Sequence, residues 1–324
     1  MKRLVCLLSA LAFALCACRA PQPSVSAAPL PFSEIALTVP FAAGGSADAA
    51  AQALSPALAE ALGVSVSVRC LEGGDGAEGT AAVAAGKADG SELLLTTTGT
   101  AALLPARGQA REFAETLRPV AEFAEIPTVL CVAAESEFAS LSDLIGAMRA
   151  QPGEIAIGSA PLGGIDHIAA ACFCEENGVL PLHVAYEDAR LGMIDLLGGS
   201  LPVFCTAYPN AAIAALDGRV RVLCVFSDER IPLLPAVPTV SEAGGGALDF
   251  GIRYGLSLPR AADDETAALL GRAVAEALGE ERVLAALSDA LLVPRYRGAD
   301  AYADRIAQDR RRCGEGLSLL GLAG

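Results

Sequence analysis

Short apolar segments and helical segments alternate along almost the whole chain, and this alternation restricts the fold more than any other feature. Strands are predicted at residues 35–40, 64–68 and 93–98, and stretches with helical spacing follow the first two. Successive parallel strands joined by helices require right-handed crossovers. The sequence therefore predicts an α/β fold built on parallel sheet.

The alternation continues through the second half of the chain. Further strands are predicted at residues 129–133, 155–158, 182–184, 203–205 and 220–226, and helices at residues 141–150, 166–176, 189–197, 209–216, 263–287 and 300–312. A length of 324 residues suits two lobes of ordinary size. Pro56 lies inside the first helical pattern, and we expect a kink or a break there.

The charge balance excludes several classes of function. The chain has 38 acidic and 23 basic residues, a formal net charge of -15, and lacks the clustered Lys and Arg of a nucleic-acid-binding protein. Two histidines and no tryptophan argue against multi-histidine metal sites. Most cysteines beyond the leader lie in apolar runs, which predicts buried free thiols. We expect no catalytic residue, no cofactor and no metal.

The N-terminus has the pattern of a targeting segment. Basic residues precede an apolar run at residues 4–14, and Leu15-Cys16-Ala17-Cys18 resembles the bacterial lipobox. This resemblance implies a lipoprotein signal peptide over residues 1–18 and lipidation of Cys18. The alternative is an ordinary secretory signal cut nearby. Residues 19–32, which are rich in proline, predict a flexible tether.

One glycine-rich turn matches a dinucleotide-binding motif. Gly74-Asp75-Gly76-Ala77-Glu78-Gly79 follows a strand and opens a helix, as the G-x-G-x-x-G pattern requires. However, it lies in the second strand–helix turn, and its carboxylates would repel a pyrophosphate. A turn required by packing is the favoured interpretation, and an NAD-dependent oxidoreductase using this turn is the alternative.

Two other strand–helix loops carry the stronger functional signal. Residues 40–48 and 158–167 each place glycines immediately before a helix start, where backbone N–H groups form an anion site without any basic side chain. Ser46 is predicted to cap its helix, with Asp48 in the first turn. His167 lies in the second loop as a candidate pocket contact. His183 is predicted to be a satisfied strand residue and not a catalytic base.

An ordered series of motifs resembles one family of receptors. The series is Val39 to Asp48, Thr97-Thr98-Gly99-Thr100, Val184-Ala185-Tyr186, Asp195 to Gly199, Val237 to Gly244, and Tyr254-Gly255-Leu256. From about Phe32 onward the chain is similar to the substrate-binding proteins of tripartite tricarboxylate transporters, the Bug-type extracytoplasmic receptors. The resemblance implies a two-lobed periplasmic-binding-protein fold, type II-like, with two crossover strands.

The resemblance also implies how such a protein works. It implies a small carboxylate ligand enclosed between the lobes by hinge motion and delivered to membrane permease components. Lobe one is expected at residues 33–126 plus 228–324, and lobe two at residues 127–227. The expected location is periplasmic or extracytoplasmic, with attachment to the membrane through the lipid only. A receptor that serves a signalling partner instead of a permease remains an open alternative.

The candidate ligand contacts come from the two loops and from strand ends beside them. They are Ala43, Gly44, Gly45, Ser46, Asp48, Thr97, Ser159, Gly164, His167, Tyr186 and Thr206. Three places depart from the family pattern, the first being Arg69-Cys70-Leu71, which stands where the family has Asn-Arg-Pro. Glu187-Asp188 stands where the family usually has lysine and glycine, and Thr206 stands where it often has an aspartate. The latter argues against an amino-acid ligand.

Overall fold

Strands from both halves of the chain join into one continuous sheet in the computed structural model, which describes residues 30–110 and 113–323. The strands are β1 (Glu34–Val39), β2 (Ser65–Cys70), β3 (Glu92–Thr97), β4 (Leu117–Ala133), β5 (Ala156–Ser159), β6 (Leu182–Ala185), β7 (Val203–Ala207), β8 (Val220–Val225), β9 (Gly251–Pro259) and β10 (Val293–Gly298). The predicted signal peptide and Cys18 lie outside the described residues.

The helices fill the connections between these strands. They are α1 (Ser46–Leu62), α2 (Ala77–Ala84), α3 (Leu104–Ala106), α4 (Phe113–Thr116), α5 (Leu141–Ala150), α6 (Ile165–Glu176), α7 (Ala189–Leu197), α8 (Tyr208–Leu216), α9 (Asp264–Ala277), α10 (Glu281–Asp289) and α11 (Ala299–Leu319). A 3-10 turn at Gly74–Gly76 precedes α2, and a π-helical turn at Gly99–Leu103 precedes α3. No helix within the described residues is long and apolar enough to cross a bilayer.

The sheet divides into two halves that share strand β4. In the first half β1 pairs in parallel with β2 and β3, and β9 lies antiparallel between β3 and β4. In the second half β5 pairs in parallel with β6 and β7, and β4 lies antiparallel to β7 and β8. The α/β class and the two-lobed architecture are therefore as predicted.

Strand β4 is the first crossover between the lobes. Its residues as far as Pro127 pair with β9, and pairing with β7 begins at Thr128. The second crossover follows β8, where the Phe250 N–H donates to Phe226 O and the Thr128 N–H donates to Phe250 O. Each change of partner takes place within one or two residues, and a hydrogen bond joins the two crossovers. We refer to these adjacent crossovers as the hinge.

The segment after β8 packs with the second lobe. Ile231 joins the cluster that contains Phe204, and Val240 and Phe250 join the cluster of α5 and α6. The sequence assigned residues from 228 onward to lobe one. On this packing we propose that the second boundary lies at 250/251, while the first stays at 126/127.

Of the kink or break expected at Pro56, the break is wrong, because helix α1 continues through this residue. Pro56 lies on the exposed face of the helix, while Leu54, Ala57 and Leu58 are fully buried on the other face. Burial of the apolar face therefore outweighs the missing backbone hydrogen bond.

A buried network of ion pairs holds the hinge together. Arg253 on β9 is only 2% exposed, and its guanidinium lies 2.5 Å from Asp249 and 3.3 Å from Asp309. Arg305 on α11 pairs with the same two carboxylates. Burial alone would raise the pKa of Asp249, but Arg253 and Arg305 hold it below its usual value. The C-terminal helix is thus tied by charge to the second crossover.

Candidate functional site

Two helix starts with the same local geometry follow parallel strands, one in each lobe. Gly45 precedes α1 with φ -83° and ψ 175°, and Gly164 precedes α6 with φ -71° and ψ 173°. Neither helix start has a side-chain cap. The N–H groups of each first turn therefore keep their hydrogen-bonding capacity, and the helix dipole adds positive potential there.

A chain of contacts through the crossovers joins the end of β3 in lobe one to the start of α6 in lobe two. Thr98, just beyond β3, donates from Oγ1 to Gly251 O at 3.1 Å. Gly251 pairs with Pro127, and the next residue, Thr128, donates from Oγ1 to Asp166 Oδ1 at 2.8 Å. Asp166 lies in the first turn of α6. The carboxyl ends of the parallel strands in both lobes thus converge on the hinge.

The loop of lobe one is exposed and is shaped by its own side chains. Ala43, Gly44, Gly45 and Ser46 are all exposed, and Gly44 has a φ of +82°, a value that favours glycine. Asp48 Oδ2 accepts the Gly44 N–H at 2.8 Å. This bond folds the loop back over the first turn of α1.

Ser46 does not cap its helix, which corrects the sequence prediction. Gly45 occupies the N-cap position and Ser46 is the first helical residue. Its hydroxyl instead lies 2.8 Å from the Tyr254 hydroxyl on β9. Ser46 therefore links the loop to the hinge strand.

The loop of lobe two is held by three hydrogen bonds. The Gly164 N–H donates to Pro161 O, and the Gly163 N–H donates to His167 Nδ1, each at 2.9 Å. Arg107, at the end of α3, donates from Nη2 to Gly163 O at 2.9 Å. Both polar groups of the Gly163 backbone are therefore used to fix the loop.

The candidate side chains Ser159 and His167 are turned inward. Ser159 is fully buried with its Oγ 2.9 Å from His183 Nε2, and His167 is 2% exposed. The rings of His167 and His183 stack with centroids 3.6 Å apart and planes within 8°. In this geometry these side chains support the loop, and the backbone of the loop is the part available to a ligand.

The remaining candidates beside the loops also have internal partners. Thr97 and Thr206 are 3% and 0% exposed; Thr97 exchanges hydrogen bonds with Thr100, and Thr206 accepts one from Asn210. Tyr186 is half-buried and donates to Asp195 at 2.8 Å. Burial, together with this acceptor, raises the pKa of Tyr186 to about 12.

The structure adds Asp166, which the sequence analysis did not single out. Its second carboxylate oxygen accepts the Ala207 N–H at 3.0 Å, so it joins the start of α6 to the start of α8 as well as to Thr128. Burial raises its pKa to about 6, against the effect of these two hydrogen bonds. The sequence shows that Asp166 is an acidic residue in the first turn of a helix. It does not show that the hydrogen-bond partner of this residue lies 41 positions away.

Close packing accounts for the glycines of the Gly74–Gly79 turn. A Cβ on Gly79 would lie 2.7 Å from Leu71 O and 2.8 Å from Pro40 Cα, and one on Gly76 would lie 2.7 Å from Thr100 Cγ2. The carboxylate of Glu78 lies against Gly73, in the space where a dinucleotide's pyrophosphate would have to fit. These contacts favour the packing interpretation of the motif.

The thiols and acidic groups give no sign of a metal centre. In residues 30–110 and 113–323 no cluster of three or more His, Cys, Asp or Glu side chains has the arrangement of a metal site. The seven cysteines of this region are free, and most are buried. The chemical feature that the two loops share is the uncapped helix start that follows each of them.

Comparison with known proteins gives one consistent answer. The model of the tripartite tricarboxylate transporter family receptor matches residues 50–322. Protein BugT of Bordetella pertussis is 30% identical over 293 residues, which cover 89% of each chain.

Solved structures agree in fold over almost their whole length. A TctC solute binding protein from Polaromonas has a TM-score of 0.82 at 25% identity, covering 89% of this chain and 99% of that one. A Rhodopseudomonas palustris protein solved with adipate has a TM-score of 0.72 at 26% identity, covering 90% and 99%. MatC of the same species, solved with bound malate, has a TM-score of 0.67 at 25% identity, covering 89% and 99%.

Proposed function

The chain belongs to the tripartite tricarboxylate transporter family of receptors, and from this we propose that it captures a small carboxylate between its lobes and delivers it to the membrane components of such a transporter. Receptors of this family bind solutes and are periplasmic. The particular ligand and the transporter partnership are our proposals for this chain.

One observation carries the choice of ligand class. The loops at residues 40–48 and 158–167 contain no Lys or Arg, yet each presents the uncapped N-terminus of a helix. Such a terminus binds a carboxylate through main-chain N–H groups and the helix dipole. The structures with malate and adipate among the similar proteins support this class.

We propose a division of roles within the predicted site. Ala43, Gly44, Gly45 and Ser46 contact the ligand from lobe one, and the backbone around Gly164 contacts it from lobe two. Asp48, Thr97, Ser159, His167, Tyr186 and Thr206 shape these loops, since each has a protein hydrogen-bond partner. No residue is proposed to perform chemistry on the ligand.

The high acidity of the chain is compatible with an anionic ligand. Hydrogen bonds to main-chain N–H groups act at contact distance, whereas exposed carboxylates are screened over about 10 Å at 0.1 M salt. Bridging waters extend the reach of such groups at small entropic cost. Local geometry therefore decides binding more than net charge does.

We further propose that the leader is cleaved before Cys18, that lipid on Cys18 attaches the protein to the membrane, and that residues 19–32 form the tether. The lipobox-like Leu15-Cys16-Ala17-Cys18 supports this proposal. Mass spectrometry of the mature N-terminus distinguishes a lipidated cysteine from a plain secretory cut. A Cys18→Ala variant released into the soluble periplasmic fraction would agree with the lipid anchor.

A thermal-shift screen tests the proposed ligand class directly. The panel contains malate, adipate, citrate, benzoate, glutamate and NAD, and any hit is followed by calorimetry. A ligand at a hundredfold excess over its Kd stabilises the folded chain by about 2.7 kcal/mol. Stabilisation by NAD and by none of the carboxylates would reject the proposal in favour of the dinucleotide alternative.

Delivery to a permease is tested separately. The membrane components of its proposed transporter are expected to take up the bound carboxylate only when the receptor is present. Ligand binding without any receptor-dependent uptake would favour the signalling alternative.

A further inference from the structure

Two stacked histidines lie directly beneath the loop of lobe two and are tied to it at both ends. The Gly163 N–H donates to His167 Nδ1 at 2.9 Å, and His183 Nε2 lies 2.9 Å from Ser159 Oγ. With centroids 3.6 Å apart, the rings connect the end of β5, strand β6 and the start of α6.

The hydrogen bond from Gly163 fixes the state of the His167 ring. An Nδ1 that accepts an N–H carries no proton, so the ring is neutral with its proton on Nε2. That Nε2 is buried and has no hydrogen-bond partner among the described residues. A buried unpaired donor is costly and is uncommon in folded proteins, so its presence points to a constraint other than stability.

An apolar side chain of similar size would fill the same space without this penalty, but it would not accept the Gly163 N–H. Gly163 has a φ of +68°, and its carbonyl is already held by Arg107. The acceptor on His167 therefore fixes the preceding peptide unit, which joins Leu162 to Gly163 and lies just before the N-cap Gly164.

We propose that His167 is a positioning residue for the carboxylate site. By accepting the Gly163 N–H it holds residues 161–164 in the conformation that leaves the first-turn N–H groups of α6 open to the ligand, and His183, fixed by Ser159, holds the ring in place. This inference rests on the proposed function, because it assigns a role within that same site.

Acid should loosen this arrangement. A proton on Nδ1 would place a donor against the Gly163 N–H and break the bond. Burial, and then the adjacent His183, lower the pKa of His167 from 6.5 to about 4. The other charged groups near the loop are bonded within the protein: Arg107, reaching the loop from α3, donates to Gly163 O, and the Asp166 carboxylate accepts from Thr128 and Ala207.

Two substitutions separate positioning from mere packing. His167→Asn places its Oδ1 near the position of Nδ1 and so keeps an acceptor that does not titrate. His167→Leu keeps the apolar bulk and leaves the Gly163 N–H unpaired. With adipate as the probe at about pH 7, we expect binding about tenfold weaker for His167→Leu and within about threefold of the wild type for His167→Asn.

The pH profile provides the readout that packing alone would not change. Between pH 6.5 and about 4 the wild type is expected to lose affinity more steeply than His167→Asn, and the titration of adipate itself affects both proteins equally. Adipate affinity unchanged in His167→Leu, or identical pH profiles for the wild type and His167→Asn, would overturn the proposal.

A ligand-free measurement distinguishes failure of this inference from failure of the proposed function. NMR of the histidine ring nitrogens should show His167 neutral with its proton on Nε2. Exchange of the Gly163 amide should be fast in His167→Leu and slow in the wild type and His167→Asn. If the wild type binds no adipate, the choice of ligand is wrong, and amide protection that is the same in all three proteins would still refute the positioning role.

Discussion

A carboxylate introduced at position 45 should make α1 more stable and ligand binding weaker. The φ of -83° and ψ of 175° at Gly45 are accessible to any residue, and a Cβ there would meet nothing nearer than Ala42 O at 3.7 Å. In Gly45→Asp the new side chain accepts a first-turn N–H, as N-cap residues do. Capping adds a few tenths of a kcal/mol over glycine, and the loss of unfolded-state freedom adds about 0.4–1 kcal/mol.

The same substitution removes N–H groups from the ligand and adds a like charge beside it. Two unit charges 4 Å apart repel by about 1 kcal/mol in bulk water and by about 4 kcal/mol at an effective dielectric constant of 20. The expected loss of affinity is thus at least about fivefold and as much as about a thousandfold. Gly45→Asn, which caps without charge, should lose less.

Gly298 provides a matched control at a helix start outside the two candidate loops. It precedes α11 with φ -66° and ψ 175°, has no side-chain cap, and leaves a Cβ 3.6 Å from the Tyr296 hydroxyl. Gly298→Asp should gain similar stability in urea unfolding and keep the wild-type Kd in calorimetry with adipate. Gly45→Asp that gains stability yet binds adipate as tightly as the wild type would refute the assignment of the α1 terminus to the site.

Three further substitutions test the loop, the glycine turn and the hinge. Asp48→Ala removes the acceptor of the Gly44 N–H and should weaken carboxylate binding several-fold in calorimetry, whereas Asp48→Asn should largely restore it; equal affinities would contradict the loop's role. Gly79→Ala forces a methyl against backbone and should destabilise the fold by about 1–3 kcal/mol in urea, with no NAD binding in either protein. Arg253→Met removes one of the two buried cations that Asp249 and Asp309 share and should cost about 3–5 kcal/mol, because Arg305 alone does not neutralise both carboxylates. Arg282→Ala at an exposed ion pair should leave the urea midpoint nearly unchanged; equal midpoints would show that the hinge network does not contribute.

The parallel halves of the fold follow from local sequence patterns. Their strands are apolar runs or, in β2, an alternating pattern, and their helices have helical spacing of apolar residues, so both can be recognised from the residues in one segment. The glycine loops between them are also predictable, because glycine before a helix start permits a positive φ and close approach of the backbone. This explains why the loops at residues 40–48 and 158–167 are correctly placed at the ends of β1 and β5.

The hinge strands are hidden from such patterns by their charges and glycines. The first half of β4 contains Glu122 and Glu125, and β9 contains Arg253 and Gly255. These residues are accommodated in a strand only because residues far away in the sequence pair with their charges or pack against the glycine. The charges pair with one another or with α11 and β10, and a Cβ on Gly255 would lie 2.4 Å from Tyr302. No local window contains that information.

The buried orientation of Ser159 and His167 was unpredictable for a similar reason. Ser159 is the last residue of β5 and His167 lies in the first turn of α6, on either side of a glycine-containing segment whose sequence indicates exposure. His183 lies 24 residues from Ser159 along the chain. Only the parallel pairing of β5 with β6 brings these side chains together. The sequence identifies the loop correctly, whereas the division between ligand contacts and supporting residues depends on the fold.

The molecule handles charge differently in its hinge and at its proposed site. In the hinge, Arg253 and Arg305 are neutralised by buried carboxylates, so the cations there are already paired. At the proposed site, the partial positive charges of backbone N–H groups take the place of cationic side chains. Water hydrates these groups readily when the lobes are apart. A buried guanidinium in an empty cleft would need a counterion, and leaving it unpaired is costly. A helix terminus needs no counterion in an empty cleft. This property suits the proposed receptor, which has to release its anion as well as bind it.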